Sequence, residues 1–440
     1  MKFNPLILRC FLAIFIVMGC TSTRRAAVPA TTDAKREVPG ESKKGDRTTS
    51  RSDSFLVQLL ESNPNLFGSL LHNKDAQIQI IYTQINRDVE NKPTLSSYYY
   101  GVDPAVYFYP ASTVKMPVAL LALQRINELS IPGLDKNTTM ITDAAGAGQT
   151  AVYNDPSAED GRPSIAQYIK KIFLVSDNDA FNRLYEFLGQ EYINNTLHRM
   201  GYADAQILHR LNISRTVEQN KVTNPVTFYS SIAKPIYIKP VTNSKFSFAS
   251  RKNLMGKGYY SNKVMVTEPF DFSKKNRLSL LDINSILQSI IFPETVSKKQ
   301  RFNVTEEDRQ FVWKYMSMKP KESPFPSYDS TYNDSYSKFL LYGGTEPMNE
   351  DMRIFNKEGD AYGFLTDAAY FVDFKNGVEF MLSATILCNS DGIFNDDHYD
   401  YETIGYPFLK NLGKVIYQYD LKRTRKYKPD LSVFKLDYTK

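Results

Sequence analysis

Residues 107–129 read Tyr-Phe-Tyr-Pro-Ala-Ser-Thr-Val-Lys-Met-Pro-Val-Ala-Leu-Leu-Ala-Leu-Gln-Arg-Ile-Asn-Glu-Leu. From Thr113 onward the Val, Met, Ala and Leu content predicts a largely buried helix, with Ser112 at its start. Ser112-Thr113-Val114-Lys115 is an SxxK pattern. Residues three apart on a helix share a face about one turn apart, so the Lys115 amine can reach the Ser112 hydroxyl. An amine whose pKa is lowered by burial or a neighbouring cation can take a proton from serine. The helix start adds unpaired N–H groups and a positive dipole end, which suit a developing oxyanion. SxxK occurs four times in the chain, at Ser112, Ser231, Ser335 and Ser432. Only the first follows a short loop after two strand-like runs and opens a long apolar helix.

Those two runs are Ala76 to Asn86 and Leu95 to Gly101, divided by a polar turn region with Asp88, Asn91 and Pro93. Before them, residues 53–72 have helical apolar spacing, interrupted near Pro64. After the Ser112 helix, residues 164–188 and 190–200 predict further helices, and Pro225 is expected to open another. Ser176-Asp177-Asn178 lies inside the first of these stretches and is the only SDN in the chain. A second hydroxyl beside the lysine could relay a proton to a leaving group, and the Asn amide could hold the lysine and a substrate carbonyl. The same triplet also suits a helix N-cap turn. Near the C-terminus, Met352 to Gly359, Leu365 to Phe374 and Val378 to Leu387 predict three successive strands, and Tyr401 to Tyr419 a closing helix. The first strand ends in Lys357-Glu358-Gly359. A competing Lys375-Asn376-Gly377 joins two apolar runs and is better explained as an Asn-Gly hairpin turn. A cation on a strand beside the serine could attract a carboxylate, and glycine would let a substrate lie against the backbone. Strands at both ends with helices between them make one α/β domain whose sheet the C-terminus completes.

SxxK, SDN and KxG in this order resemble the penicillin-recognising serine enzymes, specifically the class A β-lactamase family. The resemblance covers about residues 53–230 and 350–420. It implies a β-lactamase/transpeptidase-like α/β fold: an antiparallel sheet flanked by helices on both faces, with a mostly helical subdomain. On it, Ser112 matches the acylated nucleophile and Lys115 its activating base. Ser176 and Asn178 match the SDN hydroxyl and amide, and Lys357 with Gly359 the substrate-binding pair. The backbone N–H groups of Ser112 and Asp360 match the oxyanion hole. The implied substrate is a small β-lactam or a peptidoglycan-type amide, with no metal or cofactor.

Three departures bear on activity. Glu358 stands where the family has a hydroxyl, and its carboxylate would repel an anionic substrate if it pointed into the cleft. The family's deacylating glutamate belongs to an ExxxN pattern after SDN. The similar stretch here is Leu208-His209-Arg210-Leu211-Asn212, with Asn212 matching and Leu208 at the acid's place. Glu218 is the nearest downstream carboxylate and the candidate deacylation acid. Third, about residues 230–350 form an unusually long connection, expected as a peripheral insertion on the helical side or, more sharply, a lid or partner surface. It contains helical patterns at Leu278 to Ile291 and Thr305 to Met318 and a Tyr/Ser/Asp-rich stretch from Ser327 to Tyr336.

The chain has 440 residues, 54 Lys plus Arg, 48 Asp plus Glu and a net charge of +6. Ten of the basic and four of the acidic residues fall within residues 1–52, so the remainder is formally neutral. That argues against a nucleic-acid groove, which needs a concentrated basic excess. The four His are scattered without a zinc spacing. Residues 1–19 read as a secretory leader with a short basic region and an apolar stretch. Val17-Met18-Gly19-Cys20 resembles a bacterial lipobox, which implies lipidation at Cys20 and a membrane-tethered envelope protein, periplasmic or on the outer membrane. Residues 20–52 have almost no large apolar side chains and read as a disordered tether leading to a domain at 53–440. Cys388 alone remains in the domain, within an apolar run that favours a packing role. Three outcomes therefore stand: a β-lactamase-like hydrolase, a peptidoglycan D-Ala-D-Ala carboxypeptidase or esterase, and a catalytically inactive binding lipoprotein on the same fold.

Overall fold

A computed structural model describes residues 50–146 and 149–439. The leader, Cys20 and the tether up to residue 49 lie outside the described residues. The last tether residues are ordered: Arg51 pairs in both directions with Val102, and its guanidinium lies 3.6 Å above the Tyr99 ring.

Two runs of alternating and apolar residues, Gln79–Arg87 and Pro93–Tyr100, form an antiparallel hairpin. The C-terminal strands Met352–Ala361, Phe364–Asp373 and Val378–Leu387 join it as a second antiparallel unit. Val378–Leu387 pairs with Gln79–Arg87, so the sheet runs from the Met352–Ala361 strand at one edge to Pro93–Tyr100 at the other. The Asn376-Gly377 turn closes the last hairpin as expected, with Gly377 at φ +63. Strand alternation sends side chains to two faces, and each face has its own core. Ile81, Ile85, Phe355, Tyr370 and Met381 belong to one cluster with Ile283, Ile286, Ile290, Trp313 and Met316. Ile80, Tyr82, Ile354, Phe371 and Leu382 pack with Leu56, Leu60, Phe408, Leu412 and Ile416 on the other. The helices Ser54–Glu61 and Tyr406–Lys422 cover this second face. A helical subdomain of Lys115–Leu129, Ile165–Val175, Asn178–Leu188 and Gln190–Met200 completes the expected antiparallel sheet with helices on both faces.

Two expectations need correction. Pro225 opens a strand, Val226–Tyr229, because Val-Thr-Phe-Tyr is β-branched and aromatic and finds partners in Thr139–Thr142, with Phe228 opposite Met140. The long connection at 230–350 is not peripheral throughout. Its helices Leu280–Ile291 and Glu306–Ser317 supply the buried cover of one sheet face, and Trp313 donates from Nε1 to the Ile290 carbonyl at 2.9 Å. The part before Leu280 holds short strands, and the part after Ser317 is mostly loop.

Candidate active site

The turn that carries Ser112 is short and constrained. Ala111–Val114 form one 3₁₀ turn that runs directly into the helix Lys115–Leu129. Both the backbone N–H and the hydroxyl of Thr113 donate to the Pro110 carbonyl, at 3.0 and 2.6 Å. Ala111 sits at φ +45, a left-handed conformation that costs an alanine of order 1 kcal/mol and that persists only where surroundings fix it. The edge strand supplies that fixing. A side chain at Gly359 would place its Cβ 2.7 Å from the Ser112 nitrogen and 2.9 Å from that of Thr113, so only glycine allows this strand to lie against the turn.

SDN falls where two helices meet. Ile165–Val175 ends with Ser176 in the left-handed region at φ +58, its N–H donating to the Ile172 carbonyl. Asp177 then caps the next helix, accepting from the Ala180 N–H at 2.8 Å. Asp177 thus serves as the cap, while Ser176 and Asn178 contact Lys115. The reversal at Ser176 turns its carbonyl and hydroxyl toward Lys115.

Lys115 is fully buried and surrounded by oxygen. Its Nζ lies 2.7 Å from Ser112 Oγ, 2.5 Å from the Ser176 carbonyl, 2.7 Å from Asn178 Oδ1 and 3.2 Å from Ser176 Oγ. Burial, and then the nearby Lys357 ammonium, hold its pKa well below the ordinary lysine value; the carboxylates of Glu358, Asp177 and Asp360 oppose this without cancelling it. Lys357, also fully buried, donates to Ser176 Oγ at 2.9 Å. The structure therefore brings Ser112, Lys115, Ser176, Asn178, Lys357 and Gly359 together.

Glu358 is neither pointed at solvent nor free. Its carboxylate is buried and lies 2.8 Å from Lys357 Nζ, while its carbonyl accepts from the same Nζ at 3.0 Å. Burial would raise its pKa, but the Lys357 charge and hydrogen bond outweigh that and hold it below the usual value. Asp360 is exposed on the cleft, yet desolvation by the surrounding wall and the Glu358 charge push its carboxyl upward.

Glu218 does not reach the site. Thr216 and Gln219 form a reciprocal capping box that starts the short helix Val217–Lys221. That places Glu218 outward, with its side chain 78% exposed and paired to Lys221 at 3.0 Å, while Val217 and Asn220 line the cleft. Leu208 lines the cleft as well. The loop around it is clamped by Arg210, which donates to Glu186 at 2.7 Å and to the Val222 carbonyl at 2.7 Å; Glu186 also accepts from the Asn224 N–H at 2.6 Å.

Ser112, Ser176 and Asn178 open into a cleft of about 1130 Å³. Much of its lining was not foreseen: Tyr109 and His209, whose rings lie parallel at 6.1 Å, then Phe270, Lys275, Tyr362, Tyr399 and Tyr401. Burial lowers the His209 pKa to about 4. Tyr336, at the end of the Tyr/Ser/Asp-rich stretch, also lines the cleft.

The profile of the beta-lactamase enzyme family matches residues 69–419. The chain belongs to the beta-lactamase enzyme family. Solved structures similar to this beta-lactamase-family chain include a beta lactamase from Xanthomonas campestris pv. campestris str. ATCC 33913, at 12% identity over 83% of this chain and 98% of that one, with a TM-score of 0.45. A beta-lactamase from Burkholderia phymatum is 11% identical over 82% and 98%, with a TM-score of 0.46. A point mutant of PBP-A, an acyl-enzyme complex with penicillin G, is 14% identical over 82% and 96%, with a TM-score of 0.43. No curated protein matches. The fold of this family member is β-lactamase/transpeptidase-like.

Proposed function

We propose that this chain is a serine hydrolase that passes through an acyl-Ser112 intermediate, with β-lactams as first substrates and peptidoglycan-type amides or esters as second. The observation that carries the reading is the set of contacts around Lys115. A neutral lysine amine has two N–H donors and one lone pair. The Ser176 carbonyl and Asn178 Oδ1 can only accept, so they take both donors. The lone pair is left for the Ser112 O–H at 2.7 Å. Burial beside Lys357 favours that neutral form.

Ser112 Oγ adds to the substrate carbonyl as its proton passes to Lys115 Nζ, and the backbone N–H groups of Ser112 and Asp360 hold the oxyanion. As the tetrahedral intermediate collapses, the C–N or C–O bond breaks. The leaving group takes the Ser176 hydroxyl proton, which Lys115 replaces. Water must next attack the acyl-serine, and the loop facing it carries Leu208 where a carboxylate would activate that water. Acylation without rapid release follows, which favours a penicillin-binding or slow lactamase role over fast turnover. The Val17-Met18-Gly19-Cys20 sequence supports a lipid anchor at Cys20 and a place in the bacterial envelope.

Incubation with a fluorescent penicillin tests this. Wild type is expected to hold covalent label and Ser112→Ala none, with nitrocefin turnover slow. Equal label on both proteins would exclude Ser112 as the nucleophile; no label on wild type would exclude penicillin recognition.

A further inference from the structure

The strand Met352–Ala361 is the edge of the sheet, and its residues Lys357 and Glu358 are paired with each other. An ammonium has three N–H donors. All three of Lys357 are used within the chain: Ser176 Oγ at 2.9 Å, the Glu358 carbonyl at 3.0 Å and the Glu358 carboxylate at 2.8 Å. Its side chain has no exposed surface. A substrate carboxylate arriving beside Ser112 would therefore meet no unused donor on Lys357, and the Glu358 carboxylate already occupies the partner position.

The charges around the pair point the same way. Glu358 is itself buried, and two residues on Asp360 faces the cleft with a carboxyl of its own. Asp177 adds a further carboxylate near Lys115. Of the cations on the cleft, Arg210 is committed to Glu186, and Lys275 donates to the Tyr362 hydroxyl at 3.2 Å. Arg215 and Lys274 come from the loop and from the segment before Leu280, not from the edge strand.

We propose that Glu358 is a specificity residue: by neutralising Lys357 from within, it makes the site accept acyl donors with no carboxylate beside the scissile bond in preference to those that carry one. This rests on the acyl-Ser112 reading and deepens it by naming the substrate class.

The test compares benzylpenicillin with its methyl ester, following the acyl adduct on Ser112 by intact-protein mass spectrometry in wild type, Glu358→Gln and Glu358→Thr. The ester is expected to acylate wild type roughly tenfold faster than the acid, and the ratio to shift toward the acid by roughly tenfold or more in the variants, because removing a built-in repulsion speeds the anionic substrate and leaves the neutral one little changed. Glu358→Gln keeps the side-chain shape, and if Glu358→Thr does not fold, the wild-type ratio and Glu358→Gln decide. Acid acylating wild type as fast as ester overturns the proposal, as does a ratio unchanged in the variants. No adduct from either compound overturns the acyl-serine reading and the proposal with it, whereas adducts from both with the wrong ratio overturn only the specificity role.

Discussion

The two walls that face each other across Ser112 are built on different principles. On one, three segments distant in sequence converge on two buried lysines, and every short contact joins groups able to exchange protons or to hold the amine that does. On the other, the loop from Gln206 to Lys221 has equally short contacts, but they run between Arg210, Glu186, Asn220 and the backbone. They hold the loop's shape and present Leu208, Leu211 and Asn212 to the cleft. On the proposed function, the first wall makes the acyl-enzyme and the second closes the cleft over it without supplying a base. Stability and chemistry are separable wherever polar networks divide in this way, and substitutions on each wall should move different observables.

The largest effect is expected at Lys115. Lys115→Met keeps the length of the side chain in an apolar setting and removes the proton acceptor. Labelling of Ser112 should slow by about 10²- to 10⁴-fold, the usual range for a positioned general base. Melting temperature should fall modestly, since the Ser176 carbonyl and Asn178 Oδ1 lose their donor in a buried place. The pH profile gives an independent check. The unprotonated amine is the active form, and its pKa lies well below the ordinary 10.5. Wild-type labelling should therefore level off well below the pH at which an ordinary lysine titrates and not climb toward 10.5. A rate that climbs, or a Met variant that labels within about tenfold of wild type, would break the contrast between the walls by removing the base from the first.

Glu186→Ala probes the second wall. It strands the Arg210 guanidinium, whose side chain is only 2% exposed, and leaves the Asn224 N–H without its partner. Loss of one member of such a buried pair costs about 3–5 kcal/mol, measurable by denaturant unfolding. Labelling of Ser112 at low denaturant should change by less than about threefold, because no contact of the pair reaches Lys115 or Ser176. If stability and acylation fall together, the walls form one cooperative unit.

The same division explains what could be read from the sequence. In the first wall the three-residue spacing of SxxK sets Lys115 beside Ser112, whereas the arrival of SDN and KxG at the same place was implied by the family resemblance and not by any local spacing. Lys115 must face Ser112 whatever else the chain does. The second wall was not legible, because its outcome depends on which of several short segments wins a capping contest. Thr216 and Gln219 start a helix, and that single event turns Glu218 to solvent. Glu358 was ambiguous for a related reason. Strand alternation assigns it a face, but at a sheet edge a long side chain can bend around the backbone and meet its own neighbour. The aromatic lining from Phe270, Tyr362 and Tyr399 depends on contacts between segments far apart in the chain, which no local pattern records. The helices Leu280–Ile291 and Glu306–Ser317 had clear periodicity; what spacing could not say was that they cover the sheet.

The smallest expected effect tests the contrast most directly. Leu208 lies at the place where the resemblance calls for an acid, lines the cleft and is 4% exposed. In Leu208→Glu a carboxylate would enter a poorly hydrated position, and desolvation would raise its pKa toward neutrality, which suits a base for water. Hydrolysis of a preformed penicilloyl-Ser112, followed as loss of fluorescent label after a chase, should accelerate by about tenfold. The full benefit of a positioned base is not expected, because the loop's polar contacts were built for Arg210 rather than to orient a carboxylate. The rate of label formation should stay near wild type, since the acylating wall is untouched. If release does not accelerate although labelling persists, then one missing carboxylate is not what separates the walls. The backbone path of the Gln206–Lys221 loop, fixed by Arg210 and Glu186, would then exclude the water itself, and Glu186→Ala should release label faster than Leu208→Glu.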